Sequence, residues 1–149
     1  MGIYKIMPRF TTEIVVRFNH VDPAGIVYYP RYYEMINQAS EIWFEEGLEY
    51  PYPKMFSDGW AVPMAHLESS FRNPSYLNDR LTFAIGVTKI GRSRIDLSIV
   101  TSCKDELRFL TRQSIVWVEH KKIKSARIPD DIRERMERYL LDKGEDISF

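Results

Sequence analysis

One stretch with helical periodicity, PRYYEMINQASEIWFEEG at residues 30–47, constrains the fold of this chain more than any other feature. Pro30 suits the first position of a helix, because a proline there loses no hydrogen bond and already has a helical φ. Apolar side chains then recur on one side of a helix predicted for residues 31–46, and Gly47 is a suitable residue to end it. A helix of about four turns must bury its apolar side against a surface that the rest of the chain provides.

Most of the remaining sequence has the pattern of β-strands. A β-branched, roughly alternating run at residues 10–19 precedes the helix. Further strands are predicted at residues 61–72, 80–89, 93–103, 109–120 and 123–126. Pro129 opens a last helix, whose first turn carries the acidic Asp130 and Asp131. One strand, one long helix and then four or five strands indicate an α+β fold in which an antiparallel sheet wraps around a helix.

Composition excludes several classes of protein. A chain of 149 residues with 44% hydrophobic content suits a single domain over residues 1–149. Lysine plus arginine and aspartate plus glutamate number 21 each, so no overall field attracts nucleic acid or an acidic membrane. Cys103 is the only cysteine, which excludes an intrachain disulfide. The sequence also lacks a signal-peptide pattern at its start and a run of ~18 apolar residues, so the expected location is the cytoplasm.

The loop HVDPAGIVYY, which leads into the helix, contains one carboxylate in apolar surroundings. Asp22 lies among valine, isoleucine and tyrosine residues, and no lysine or arginine follows it before Arg31. A partly buried carboxylate without a partner costs free energy, so proteins usually keep one for a reason. That reason is either chemistry or an Asx-turn ahead of Pro23.

The chain contains the stretch DPAGIVYYPRYYE, a long helix, and later strands with FRNP, DRL and KIGRSR. Together these features resemble the hotdog-fold acyl-CoA thioesterases, above all the 4-hydroxybenzoyl-CoA thioesterase branch. The likeness covers roughly residues 11–118. It implies a hotdog fold and the hydrolysis of an acyl-CoA to an acid and coenzyme A. It also implies that Asp22 is the catalytic carboxylate and that the start of the central helix holds the thioester carbonyl. A homodimer whose sheets join edge to edge, with sites at the subunit junction, and often a homotetramer are implied as well.

The chemistry of thioester hydrolysis fits the residues at the start of the helix. Negative charge develops on the carbonyl oxygen, and the first helical turn offers unpaired N–H groups and a positive dipole end. Pro30 has no N–H, so the backbone N–H of Tyr29 is the preferred donor, ahead of that of Tyr28. Asp22 either attacks the carbonyl to give an anhydride or activates a water as general base. His20 either orients this carboxylate or is simply a polar loop residue.

Candidates for contact with the acyl group are Tyr28, Tyr32, Asn37 and His66. The tyrosines either shape a pocket or belong to the core, and His66, on a predicted strand, either lines the pocket or is a core histidine. The 4-hydroxybenzoyl-CoA enzymes have an acidic residue near the position of Asn37, and the amide found here argues against a hydroxybenzoyl substrate. Short-chain relatives have a histidine where this chain has Tyr29, which argues against that branch. The histidines and the cysteine show no metal-ligand spacing, and no cofactor is expected.

The segment KIGRSR provides three candidates for binding coenzyme A: Lys89, Arg92 and Arg94. If Ser93 begins a strand, the two arginines project to one face and Lys89 lies across the turn. Coenzyme A carries a 3′-phosphate and a pyrophosphate, and arginine matches phosphate oxygens with paired hydrogen bonds. The alternative for this cluster is a solvated hairpin end.

Two other functions are compatible with the predicted fold. Acyl-thioester dehydratases need a histidine general base paired with an acid on the helix, whereas here an aspartate occupies the loop. A non-catalytic acyl-CoA-binding protein would lack a poised carboxylate. The preferred prediction is therefore an acyl-CoA thioesterase.

Overall fold

The computed structural model describes residues 8–142, which contain eight β-strands and three α-helices. The strands are β1 (Phe10–Val15), β2 (Trp60–Ala61), β3 (Met64–Phe71), β4 (Arg80–Ile90), β5 (Arg94–Cys103), β6 (Glu106–Val116), β7 (Val118–Glu119) and β8 (Lys124–Ser125). The helices are α1 (Tyr29–Ile42), α2 (Tyr52–Ser57) and α3 (Asp130–Glu137). A 3₁₀ turn at Phe18–His20 precedes α1, and a π-helical turn at Trp43–Gly47 extends it.

The strands form two antiparallel sheets. The main sheet has five strands in the order β1-β4-β5-β6-β3, and β2, β7 and β8 form a small second sheet. The long helix α1 packs on one face of the main sheet. The predicted α+β class, with a long helix and a curved antiparallel sheet, is confirmed.

Two of the predicted strands are interrupted. The strand predicted at residues 61–72 divides into β2 and β3 at Pro63, which has no N–H to donate to a neighbouring strand. The strand predicted at residues 109–120 begins earlier, at Glu106, and divides at Trp117, whose N–H donates to the Ser93 carbonyl at 2.7 Å instead of continuing the ladder. The other predicted strands after α1 agree with β4, β5 and β8 to within about two residues.

Helix α2 is absent from the sequence prediction, which treated its segment as a proline-rich connection. Pro51 precedes the helix and Pro53 lies in its first turn, where a proline costs no helical hydrogen bond. The last helix begins after Pro129 as predicted, and it ends at Glu137, before Tyr139 and Leu140.

The core lies between the apolar side of α1 and the facing side of the main sheet. Tyr32, Met35, Ile36 and Ala39 are buried on α1, and Phe109 is buried on β6. The rings of Tyr32 and Phe109 have centroids 4.2 Å apart. Burial of each large apolar side chain contributes about 1.5–3 kcal/mol, so this contact surface holds α1 in place.

The two ends of the main sheet carry different parts of the chain. Val15 pairs with Arg80, and Ile26 forms a bridge to Tyr76, so the loop that contains Asp22 lies at the end where β4 begins. The turn between β4 and β5 lies at the opposite end. Because β4 has 11 residues, the two ends are ~33 Å apart at ~3.3 Å per residue.

Strand β3 forms an exposed edge of the main sheet. It pairs only with β6 among the described strands, and Met64, Leu67 and Phe71 are 49%, 37% and 48% exposed. Tyr32 of α1 stacks on Phe71, with ring centroids 5.8 Å apart. The start of α1 therefore lies beside the end of β3. An edge strand of this length with apolar side chains is a ready template for another strand.

Candidate active site

The loop that contains Asp22 is a tight turn held by its own backbone. Asp22 Oδ1 accepts a hydrogen bond from the Ala24 N–H at 2.9 Å, and the Asp22 carbonyl accepts one from the Gly25 N–H at 2.9 Å. Gly25 has a φ of +83°, which glycine adopts without strain. The Asx-turn is thus present, but it occupies only one carboxylate oxygen. Within residues 8–142 no other hydrogen bond or ion pair reaches the carboxylate of Asp22.

The backbone at the start of α1 leaves one N–H without an acceptor. The Tyr28 N–H donates to the His20 carbonyl at 2.9 Å, and Pro30 has no N–H. The Tyr29 N–H, in the first turn of α1, meets no acceptor in the part of the chain that the structure describes. The preference for Tyr29 over Tyr28 as carbonyl donor therefore agrees with the geometry, and its role stays a prediction.

A small cavity of about 320 Å³ lies beside this loop. It is lined by Asn19, Val21, Asp22, Pro23, Tyr28 and Arg31. The Arg31 guanidinium lies 2.6 Å from Glu34 and so remains on the helix surface. The polar side chains in the wall of this cavity are those of Asn19, Asp22, Tyr28 and Arg31.

His20 supports the loop and makes no hydrogen bond to Asp22. Its Nδ1 accepts the Arg17 N–H at 2.8 Å, so the neutral ring carries its proton on Nε2. Burial lowers the pKa of His20, the charge of Glu34 partly opposes this, and Arg31 lowers the pKa further. A neutral His20 therefore stabilises, through its bond to the Arg17 N–H, the turn that precedes Asp22.

A larger cavity of about 530 Å³ runs along α1 toward its C-terminal end. Most of its wall is apolar or aromatic, and residues that contribute to it are Tyr33, Ile36, Asn37, Ser40, Phe44, Tyr52, Phe56, Met64, Leu67, Gln113, Ile115 and His120. Tyr33 lies one turn of helix, ~6 Å, from Tyr29. The cavity thus begins close to the start of α1 and ends beside the first residues of β3.

The structure distributes the predicted acyl-contact residues over different places. Tyr28 lines the small cavity and Asn37 lines the large one, where its Nδ2 donates to Glu41 Oε1 at 2.8 Å. The prediction for Tyr32 is corrected: it is 5% exposed and packs in the core outside both cavities.

The prediction for His66 is also corrected. Its side chain is exposed and lies on the face of β3 opposite α1, 4.0 Å from Glu68. A β-bulge between Met64 and His66 shifts the alternation of side chains along this strand. His66 therefore neither lines the large cavity nor belongs to the core.

The predicted cluster of cations is partly neutralised. Lys89, Gly91, Arg94 and Asp96 line a groove of about 360 Å³, whereas Arg92 lies in the turn outside it. Arg94 Nε lies 3.0 Å from Asp96 Oδ1, and Arg94 Nη2 donates to Ser114 Oγ at 2.8 Å. Burial alone would raise the pKa of Asp96, but hydrogen bonds from Ser114 and Arg94 more than offset it and the pKa is lowered. Asp96 thus stays ionised in this groove.

Sequence reasoning missed two buried polar residues in the large cavity. Gln113 of β6 donates from Nε2 to Ser40 Oγ of α1 at 3.0 Å. Both positions carried a signal, since Ser40 lies on the apolar side of α1 and Gln113 interrupts the apolar alternation of β6.

Residues 8–142 contain no group of three or more histidine, cysteine, aspartate or glutamate side chains placed to hold a metal ion. None of the helices in that range has the length and apolar character needed to cross a membrane.

The long helix, the curved sheet and the loop–helix geometry together define a hotdog-fold protein of the thioesterase class. The model of the thioesterase-like superfamily matches residues 16–136, and the chain belongs to this superfamily. The resemblance seen in the sequence is thereby confirmed.

The chain is similar both to curated enzymes and to proteins of solved structure. The chain is 32% identical over 91 residues to the 1,4-dihydroxy-2-naphthoyl-CoA hydrolase of Synechococcus elongatus, and the match spans 59% of this chain and 65% of that protein. It is also similar to the crystal structure of a 1,4-dihydroxy-2-naphthoyl-CoA thioesterase from Synechocystis, with a TM-score of 0.78, 24% identity, and coverage of 86% of this chain and 95% of the other. A thioesterase superfamily structure from Jannaschia sp. has a TM-score of 0.86, 21% identity, and coverage of 95% and 99%. These structures share the fold.

The environment of His20 predicts a pH dependence of stability. The folded-state pKa lies below the ordinary value of 6.5, so the unfolded chain takes up the proton first as the pH falls. The contribution of His20 to stability is complete above pH 6.5 and is lost as the pH falls toward the folded-state pKa. NMR titration of the ring measures this directly, and a His20 that titrates at or above 6.5 would contradict the assignment.

Proposed function

We propose that this protein hydrolyses an acyl-CoA thioester with an aromatic acyl group and releases the free acid and coenzyme A. The observation that carries the proposal lies at one end of the sheet, where, among the described residues, a carboxylate oxygen of Asp22 has no partner and the Tyr29 N–H has no acceptor. Membership of the thioesterase-like superfamily supports it. So do the names of the relatives, which are hydrolases and thioesterases of an aromatic acyl-CoA.

In the proposed mechanism the Tyr29 N–H and the dipole of α1 stabilise the negative charge that develops on the thioester oxygen. The Ala24 N–H holds Asp22 Oδ1 and leaves the second oxygen available. This oxygen either attacks the carbonyl carbon, which expels the coenzyme A thiolate and gives an anhydride that water opens, or takes a proton from the attacking water. Both routes end in the acid and coenzyme A.

The surroundings of His20 favour hydrolysis over a dehydratase reaction. A dehydratase needs a histidine nitrogen that is free to accept a proton from the substrate. The Nδ1 of His20 already accepts the Arg17 N–H, and its Nε2 carries the proton. Asp22, with one free oxygen, is the available base or nucleophile in this loop.

The large cavity is the proposed site of the acyl group. Its volume of about 530 Å³ lies within the range of small-molecule pockets, ~300–1,000 Å³. Tyr33, Phe44 and Tyr52 line it with aromatic surface. A thioester held at the Tyr29 N–H can extend its acyl group along α1, past Tyr33 and Asn37. An aromatic ring fills such a wall better than a flexible chain, since it loses less conformational entropy on binding.

A homodimer accounts for the position of the cationic groove. In one chain, Lys89 and Arg94 lie at the opposite end of the sheet from Asp22. Antiparallel pairing of β3 with the same strand of a second copy would reverse the ends, so that the groove of one copy approaches the Asp22 loop of the other. It would also cover the exposed edge of β3. We therefore propose a homodimer, alone or as half of a homotetramer, with each site built from both subunits.

We further propose that the enzyme works in the cytoplasm, where a reducing compartment keeps the buried Cys103 a thiol. Hydrolysis by a carboxylate and a backbone N–H requires no metal or redox cofactor. Lys89 and Arg94, and to a lesser extent Arg92 in the turn, are the groups proposed to contact the phosphates of coenzyme A.

Asp22→Asn is expected to lower kcat for aromatic acyl-CoA substrates by about two orders of magnitude or more. Asparagine keeps the acceptor for the Ala24 N–H, so the turn and the fold should survive. Asp105→Asn is the matched control, because Asp105 is exposed and has a φ of +63° that asparagine tolerates. Thiol release measures the rate, and a loss of only a few-fold would remove Asp22 from the chemistry.

The shared site predicts complementation between two variants that are each impaired with a full coenzyme A thioester. Lys89→Ala/Arg94→Ala should raise KM for a full coenzyme A thioester at least tenfold and spare an N-acetylcysteamine thioester, which lacks the phosphates. Mixed with Asp22→Asn after unfolding and refolding together, it should recover about a quarter of wild-type kcat/KM, since random mixing leaves one intact site in half of the dimers.

The control for this experiment is a mixture of each variant with itself. If the mixed sample shows only the mean of the two variants, Asp22 and the cations of one site come from the same chain, and the proposed arrangement of the dimer is wrong. Equal effects of the double alanine variant on both thioesters would show that the groove is structural.

A further inference from the structure

The wall of the large cavity contains one buried polar pair in apolar surroundings. Gln113 is 2% exposed and Ser40 is 8% exposed, and they are joined by the Nε2 to Oγ hydrogen bond of 3.0 Å. In the sheet, Gln113 stands between Leu67 of β3 and Leu97 of β5. No polar side chain of either neighbouring strand is therefore placed directly opposite it.

The Oε1 atom of Gln113 is buried and has no hydrogen-bond partner among the described residues. Leaving a buried acceptor unpaired destabilises the folded protein, whereas an apolar side chain of similar shape has no such cost. The bond to Ser40 joins helix to sheet, but it uses only the Nε2 end of the amide. A purely structural role leaves the oxygen unexplained.

The location separates Gln113 from the other unpaired polar groups of the interior. Trp43 Nε1, Trp117 Nε1, Ser75 Oγ and Thr101 Oγ1 are also buried without a partner among the described residues, but none of these residues lines the large cavity. Gln113 does line it, next to Ser40 and Ile115. The side chain that carries the unpaired acceptor therefore contributes to the wall where the proposed acyl group would bind.

Asn37 is less suited than Gln113 to recognise a polar group on the substrate. Its amide donates to Glu41 at 2.8 Å, and its side chain is exposed on α1. Hydrogen bonds in contact with water discriminate weakly, because water replaces the missing partner. A buried acceptor such as Gln113 Oε1 discriminates strongly, because nothing else can satisfy it.

We propose that Gln113 determines specificity by accepting, at Oε1, a hydrogen bond from a hydroxyl group on the aromatic ring of the acyl group. Ser40 positions this residue by holding Nε2, which leaves the oxygen for the ligand. The enzyme would then prefer a hydroxylated ring over the same ring without the hydroxyl. This inference rests on the proposed function, since it concerns the acyl group of the same substrate.

The test compares 2-naphthoyl-CoA with its positional hydroxy isomers. Wild type should hydrolyse at least one hydroxy isomer with a kcat/KM about tenfold above that of 2-naphthoyl-CoA. Gln113→Leu should reduce this preference to within about twofold, by slowing the hydroxy substrate alone. Ser40→Ala should reduce it in part, because the amide is then free to rotate. Gln38→Leu, at an exposed position of α1, is the matched control and should keep the full preference.

A double variant provides the same test if the single variants fail to fold. Ser40→Ala/Gln113→Leu removes both polar groups together, leaves no orphaned hydroxyl, and should remain folded because leucines already flank position 113. It should show the same loss of preference as Gln113→Leu.

A binding experiment separates this inference from the proposed function. Calorimetry with free hydroxy-2-naphthoic acids and 2-naphthoic acid reports the same preference without hydrolysis. If no thioester is hydrolysed but the hydroxy acids bind more tightly in a Gln113-dependent way, the proposed function fails and the inference stands. If hydrolysis proceeds but wild type shows no preference, or Gln113→Leu keeps it, the inference is overturned and the thioesterase activity stands.

Discussion

The contact between the apolar side of α1 and the inner face of the main sheet is the interaction on which the rest of the molecule depends. Tyr32 against Phe109 and Phe71 fixes where the helix begins, at the end of β3 and beside the Asp22 loop. The same contact leaves space farther along α1, where the helix, β3 and β6 enclose the large cavity. The packing of α1 against the main sheet thus positions both the proposed carbonyl donor and the proposed acyl site.

Two kinds of interaction hold the residues of the proposed site in position. The reacting groups are held by local backbone bonds: Ala24 to Asp22, and His20 to Tyr28. The acyl site is held by long-range packing, in which Gln113 and Ser40 meet across 73 residues of sequence. Substitutions in the loop should therefore change the rate, whereas substitutions in the cavity should change which acyl group is chosen.

The sequence was informative about α1 and the Asp22 turn, which depend on neighbours in the chain, although it missed the short helix α2. The helical stretch was predicted at residues 31–46 and extends over 29–47 with its π turn, and the turn around Asp22 follows from its own residues. Features set by pairing between strands were missed. Ser114 of β6 donates to Asp96 of the neighbouring strand β5, and a β-bulge moves His66 to the face away from α1. Such features depend on register, which a single sequence shows weakly.

In the proposed mechanism, a backbone N–H at the start of α1, and not a side chain, polarises the thioester. Replacing the Tyr28–Tyr29 amide by an ester in a semisynthetic protein removes only the Tyr29 N–H and tests this most directly. We expect a loss of roughly 10²–10³ in kcat with substrate binding retained, while Tyr29→Phe stays within a few-fold of wild type. A fully active ester protein, or a folded Tyr29→Phe that binds substrate but is nearly inactive, would contradict it.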